Sequence, residues 1–138
     1  MSEADVDVVR GQFAAVNKRD FARAMDLYAD DVTLTVGVNA RLMNPGVYEG
    51  KEAVGEWFGD WFRTFAADYR FEIEEARTLE GGAVFVHANH RGSGRRSGVE
   101  VHREDFYLYR VSGGKVSRVG FFGSRDAALE AASLPEWS

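Results

Sequence analysis

Arg103, Asp105, Tyr107 and Tyr109 are spaced two apart in the segment HREDFYLY. A regular strand turns all four to one face. If that face is the concave one, it carries a carboxyl group beside a phenol in a low-dielectric pocket. Proton transfer next to a carbonyl needs that pairing, the carboxylate as base and the phenol as hydrogen-bond donor. Desolvation would lift the Asp105 pKa towards neutrality while the Arg103 guanidinium opposed it. The same four residues would also make an ion pair and two aromatics on a sheet face used for dimerisation. One strand earlier, the alternation Val84, Val86, Ala88, His90 points an imidazole to the same side. Its ordinary pKa near working pH suits a general acid or base, and a hydrogen-bonded structural histidine is the other reading. The catalytic candidates are therefore His90, Asp105 and Tyr107.

A metal is not expected. His87 and His90 lie three apart and leave a flat strand on opposite faces, so only one of them can share a site with His102 or Glu100. Ser93 sits in Gly-Ser-Gly, yet the pattern joins two strands, whereas a nucleophile elbow needs a strand-to-helix turn. No helix follows to make that glycine run a phosphate cradle.

The elements that must position these groups can be read from periodicity. Val6, Val9, Phe13 and Val16 recur at helical spacing in a first helix. Asp20 can cap a second, FARAMDLY, which the pair Asp30-Asp31 should end before the strand VTLTVGV. The segment NARLMNPGVY, 39–48, is expected to be an irregular connection, suited to a flap over a pocket. A long helix, KEAVGEWFGDWFRTFAAD, follows and gathers Val54, Trp57, Phe58, Trp61, Phe62 and Phe65 on one wide face. Four strands then form a meander: YRFEIEEARTL, AVFVHANHRG, VEVHREDFYLYRV and KVSRVGFF. Gly81-Gly82 and Gly113-Gly114 read as tight turns, and GSGRRSG as a wider hairpin end. Ser124 can cap a last helix that Pro135 stops. A bulge in EIEEAR or HREDFY would exchange inside and outside from that point on.

These elements make one α+β domain over 1–138, with three to four helices packed on a curved, mostly antiparallel sheet as a cone-shaped roll that encloses a pocket. At 138 residues such a chain can bury about two-thirds of its unfolded surface in one core. With 45% hydrophobic and 28% charged residues it has the balance of a soluble globular protein. It contains no cysteine, which excludes disulfides and thiolate chemistry and permits a reducing compartment. The acidic first residues and the lack of a long apolar run lead us to expect a cytoplasmic chain without a membrane partner. A net charge of −5 argues against nucleic acid. All three histidines and Arg91, Arg95, Arg96 and Arg103 nevertheless fall between 87 and 103, a basic patch able to meet an anion or to keep a solvated hairpin end from aggregating.

The element order, with LYADDVTL closing the second helix, GVYEGKEAVGEWF entering the third and GGKVSRVGFFGSRDAALEA near the end, resembles the SnoaL-like branch of the nuclear transport factor 2-like superfamily. The resemblance runs from about Val8 to Leu134 and implies a cystatin-like roll. Ketosteroid isomerases share the layout, but the positions matching their base, first-helix tyrosine and second acid read Val36, Gln12 and Tyr107. The triad of limonene epoxide hydrolases falls on His87, Asn89 and Phe121 and is absent too. The resemblance therefore implies a small-molecule pocket protein, able to act as a cofactor-independent isomerase, cyclase or dehydratase on an apolar substrate. The alternative is a non-catalytic ligand-binding or dimeric assembly module of the same fold. Expected ligand contacts are Gln12, Val36, Tyr48, Phe58, Trp61, Phe62, Arg103 and Phe121. A homodimer is expected on either reading, because a sheet covered by helices on one side leaves its other face to a second copy.

Overall fold

The computed structural model describes residues 2–37, 40, 42, 44–65 and 68–138. In chain order the elements are α1 (Ser2–Asn17), α2 (Phe21–Asp26), β1 (Tyr28–Val36), β2 (Gly46–Glu49), α3 (Lys51–Thr64), β3 (Arg70–Thr78), β4 (Val84–Ser93), β5 (Glu100–Ser112), β6 (Lys115–Phe122) and α4 (Arg125–Ala131). A 3₁₀ turn, Pro135–Trp137, closes the chain. The strands form a curved six-stranded sheet in the order β2-β1-β6-β5-β4-β3. Every pairing is antiparallel except β1 with β6.

On the concave face, Val9 and Phe13 of α1 and Val54, Trp57 and Trp61 of α3 meet Val84, Val86, Ala88, Tyr107, Tyr109, Val119 and Phe121 from the strands in one core. Each buried ring contributes about 2–3 kcal/mol of transfer free energy, so the aromatic face of α3 is what holds that helix across the sheet. α1 is tied down at its end, where the Asn17 side chain donates to Phe71 O at 2.9 Å and accepts from Phe71 N at 2.9 Å.

Local expectations fail where tertiary pairing overrides them. α2 ends at Asp26, and Tyr28, Asp30 and Asp31 belong to β1 rather than to the end of a helix. A six-residue helix is too short to hold its last turn, and Val116 N donating to Leu27 O at 2.7 Å draws the chain into the sheet. The two aspartates lie in a register shift of β1 against β6 between Tyr28 and Thr33. The segment expected to be irregular ends in β2, paired with β1 from Val36↔Gly46 to Thr33↔Glu49. Its residues 39, 41 and 43 lie outside the described residues, and the flap expectation rests partly on them. α3 stops at Thr64, short of the expected end, because Phe65 turns extended to bridge Gly94.

Gly113 and Gly114, both at positive φ, make the expected two-residue turn. The β3–β4 connection is tight as expected at Gly81-Gly82, with Gly82 N donating to Leu79 O at 2.9 Å and Leu79 N donating to Ala83 O at 2.8 Å.

The convex face is not bare. α4, capped by Ser124 Oγ accepting from Ala127 N at 3.1 Å, and Trp137 bury Phe85, Leu108 and Ala128 in a second, smaller core. Beside it run the pairs His87–Glu104, Arg91–Glu72 and Arg125–Glu75. Much of the apolar surface expected to call for a second copy is thus covered within the chain. Among the described residues no helix is long and apolar enough to cross a membrane.

Candidate functional site

Between α1, α2, α3 and the concave face lies a cavity of about 750 Å³. Its walls are mainly rings: Phe13, Trp57, Phe58, Trp61, Phe62, Phe71 and Phe121. Polar groups enter it at few points, among them His90, Asp105, Tyr107 and Gln12.

The register of β4 against β5 sets His90 opposite Arg103 and Ala88 opposite Asp105. No bulge interrupts this pairing, so the alternation in HREDFY holds and Asp105, Tyr107 and Tyr109 all point inward. The register shifts nearest the site, between Ile73 and Glu75 of β3 and between Arg110 and Val111 of β5 against β6, lie beyond Phe71 and Tyr109 and leave the site's own facing intact. His87, three residues before His90, emerges on the other face, stacked on Phe106 and 2.7 Å from Glu104.

The inward groups form one network. His90 Nε2 is 2.5 Å from the Tyr107 hydroxyl and 3.1 Å from Asp105 Oδ2, while Nδ1 is 2.8 Å from the Tyr69 hydroxyl. Arg103 donates to Asp105 Oδ1 through Nη2 at 2.6 Å and Nε at 3.1 Å. Its Nη2 also donates to Ala40 O at 2.7 Å, and the guanidinium lies 6.0 Å from the Trp61 ring centroid. Asp105 Oδ2, in contrast, is buried and accepts no hydrogen bond among the described residues.

The electrostatics follow from burial. Asp105 is 2% exposed. Desolvation pushes its pKa up to about 6, against the pull of the Arg103 charge and hydrogen bonds. Burial, helped by Arg103, drives His90 down to about 3, so the imidazole is neutral at physiological pH. Burial also raises Tyr69, Tyr107 and Tyr109 well above the usual phenol range, with the Asp105 charge adding to the first two. Near pH 7 the site therefore holds one carboxylate, with Arg103 on one oxygen and the neutral imidazole of His90 3.1 Å from the other, among protonated phenols.

Of the residues singled out from the sequence, Gln12, Phe58, Trp61, Phe62, His90, Asp105, Tyr107 and Phe121 line the cavity. Gln12 is turned partly away, its Nε2 donating to Ala24 O at 3.1 Å. Val36, Tyr48 and Arg103 are not among the lining residues. Val36 is consumed by the core at 2% exposure, and β2 carries Tyr48 to the sheet edge, where its hydroxyl donates to Asn44 O at 2.6 Å. Arg103 acts through Asp105.

Three further tyrosines belong to the site. Tyr28 and Tyr109 line the cavity, and the Tyr69 hydroxyl is 2.8 Å from His90 Nδ1. Tyr109 shares the two-residue repeat of Asp105 and Tyr107, Tyr69 continues that of Phe71 and Ile73 back by two, and Tyr28 lies in β1 rather than in the second helix expected from the sequence.

Tyr69 depends on Gly92. A Cβ at Gly92 would sit 2.6 Å from Tyr69 Cα and 2.8 Å from its Cδ2. Gly92→Ala is expected to cost about 1–3 kcal/mol of stability through overpacking and to separate the Tyr69 hydroxyl from His90. Denaturant unfolding and the imidazole ¹⁵N shifts of His90 check this. Unchanged values of both would refute the assignment of Tyr69 as the residue that orients His90.

Comparison with known proteins places this geometry in a family. An uncharacterised protein of Mycobacterium bovis is 29% identical over 128 residues, covering 93% of this chain and 95% of its own. A Catenulispora acidiphila protein with a ketosteroid isomerase-like fold, solved in complex with trimethylamine, superposes with a TM-score of 0.70 at 18% identity, covering 95% of this chain and 96% of that one. A Sinorhizobium meliloti protein provisionally named a polyketide cyclase does so with a TM-score of 0.64 at 20% identity, covering 83% and 93%. Residues 9–119 match the SnoaL-like domain model, and the chain belongs to that branch of the nuclear transport factor 2-like superfamily.

Proposed function

We propose that the chain binds a small, mainly apolar carbonyl compound in the cavity and moves a proton on it without a cofactor, as an isomerase, cyclase or dehydratase. The observation that carries this reading is Asp105 Oδ2: a buried carboxyl oxygen beside an apolar cavity, with no hydrogen bond of good geometry among the described residues and His90 Nε2, 3.1 Å away, as its polar neighbour. An ordinary structural carboxylate has its lone pairs satisfied, because an unmet one costs about 1–3 kcal/mol. Here the unpaired oxygen is held as a base with a pKa near 6, close to the operating pH that favours such catalysis.

In the proposed step Asp105 Oδ2 takes a proton from the carbon next to the carbonyl. The electron pair of that C–H bond moves to the carbonyl oxygen, giving an enolate. The Tyr107 hydroxyl, 2.5 Å from His90 Nε2, supplies the hydrogen bond to that oxygen. Where a C=C bond neighbours that carbon the electron pair spreads into a dienolate, and return of the proton from Asp105 to its far carbon completes an isomerisation; attack of the enolate carbon on a second carbonyl of the same molecule closes a ring, and the alkoxide so formed takes the proton back from Asp105. The cyclase naming of the S. meliloti protein is consistent with this class of chemistry. Arg103 holds Asp105 in place, Tyr69 holds His90, and the aromatic walls exclude water.

A thermal-shift screen against steroids, polyketide-like aromatics and fatty acids tests the binding half. A ligand at 100 times its dissociation constant adds about 2.7 kcal/mol, which for a chain of this length raises Tm by about 10 °C. No shift across the panel would favour the assembly module over the pocket protein.

A further inference from the structure

Among the described residues that line the cavity, Phe21, Arg63, Arg95 and Arg96 are the exposed ones, so they mark where it meets solvent. Three of these four are arginines, in a chain whose net charge is −5. Arg63 is accounted for by its ion pair with Asp60. The side chains of Arg95 and Arg96 make no ion pair or hydrogen bond among the described residues. Their backbone is nevertheless fixed: Arg95 N donates to Thr64 O at 3.0 Å, and Gly94 bridges Phe65, which docks the β4–β5 hairpin end against the last turn of α3. A hairpin end that carried charge only to stay solvated would not need to line a cavity. The Arg95 charge also reaches Arg19, whose pKa is lowered by burial and by Arg70, with Asp68 opposing and Arg95 adding to the shift.

We propose that the cavity takes an anionic ligand: a flat apolar body bearing one acidic oxygen group, with the anion held between Arg95 and Arg96 at the rim and the body reaching inward to Asp105 and His90. This rests on the reading of the cavity as the ligand site. A flat body suits the walls, where Trp57 and Trp61 lie with ring planes 8° apart and centroids separated by 5.8 Å, and where Phe58 and Phe121 add further rings. The acidic group cannot sit deep, because Asp105 is charged there at neutral pH and repels it. It belongs at the rim, where two guanidiniums offer forked donors to an oxyanion. His90 and Arg95 are five residues apart, so their Cα atoms are at most about 17 Å apart at about 3.3 Å per residue. The two side chains reach into that span, and the room left between anion and network suits a fused-ring acid of two to four rings.

The test uses a matched pair of probes, 9-anthracenecarboxylic acid and its methyl ester, titrated against the intact protein and the Arg95→Gln/Arg96→Gln variant with tryptophan fluorescence as readout. The acid is expected to bind the wild type about tenfold more tightly than the ester, the size of one charge-assisted hydrogen bond. The acid's affinity alone should fall with added salt. In the variant the preference should vanish while the ester's affinity stays the same. Equal binding of acid and ester to the wild type, or a preference that survives in the variant, overturns the rim site and leaves the cavity reading standing. Binding of neither probe takes down both.

Discussion

Asp105→Asn is expected to lower proton-transfer activity by about 10²–10⁴-fold, the usual worth of a positioned general base, while the protein stays folded. The amide keeps an acceptor oxygen for Arg103, whose Nη2 lies 2.6 Å from Oδ1, and removes only the basicity of the unpaired oxygen. Deuterium incorporation from heavy water next to the carbonyl of 2-tetralone, followed by NMR, reads the activity without knowledge of the natural substrate. In the wild type the rate should rise with pH through about 6, as the Asp105 carboxyl ionises. His90, driven down to about 3, should contribute no limb in that range. Exchange that is unaltered in the variant, or flat across pH 5–7, would remove Asp105 from the mechanism.

The same variant has a signature in stability. The folded pKa of Asp105 lies above its unfolded value of about 3.9, so the fold holds that proton more tightly, and the advantage is lost as pH rises from about 4 to about 6. The folded pKa of His90 lies below its unfolded value of about 6.5, so its contribution is complete above that value and is lost as pH falls towards about 3. Between about pH 4 and 6 the two slopes oppose each other, and the wild type should be nearly flat there as far as this pair is concerned. Asp105→Asn leaves only the histidine slope, at most about 1.4 kcal/mol per pH unit, and its stability should decline steadily on acidification from about pH 6.5.

Arg103→Ala is expected to be the most destabilising change in the network. It strips the guanidinium donors from Asp105 Oδ1, takes the Nη2 donor from Ala40 O, and uncovers the face of Trp61. Breaking a buried pair by removing one partner costs about 3–5 kcal/mol. The lower end applies here, because the arginine side chain is 25% exposed while the carboxylate is 2% exposed. A loss of about 3 kcal/mol lowers Tm by about 10 °C for a chain of this length. The loss should be greater above about pH 6, where the stranded carboxyl would otherwise ionise, than below it. Arg103→Ala/Asp105→Asn should recover most of it, since no charge is then left buried. A double variant no more stable than Arg103→Ala would mean that packing on Trp61, and not the charge, is what Arg103 supplies.

Much of this site was legible in order and spacing alone. The two-residue repeat of Arg103, Asp105, Tyr107 and Tyr109, and that of Val84 to His90, survive folding because neither run is bulged where it pairs with the other. The helical repeat of Val54, Trp57, Trp61 and their neighbours likewise dictates which face of α3 meets the sheet, since only that face is apolar. Periodicity is a local property, and the sequence by itself determined such features: helix faces, strand facing, the Gly113-Gly114 turn and the branch of the superfamily.

What depended on residues distant in the chain had no local signal. Tyr69 reaches His90 only because β3 pairs with β4 in the register that sets Phe71 against His90. Tyr28 enters the cavity because pairing with β6 takes its segment away from helix. The Asp105 pKa rises towards neutrality because burial outweighs Arg103, a balance set by how deeply the sheet closes under α3. Arg95 and Arg96 become a rim because the hairpin end docks on that helix. Register, depth and docking are sums over the whole fold, so the tertiary structure alone decided them.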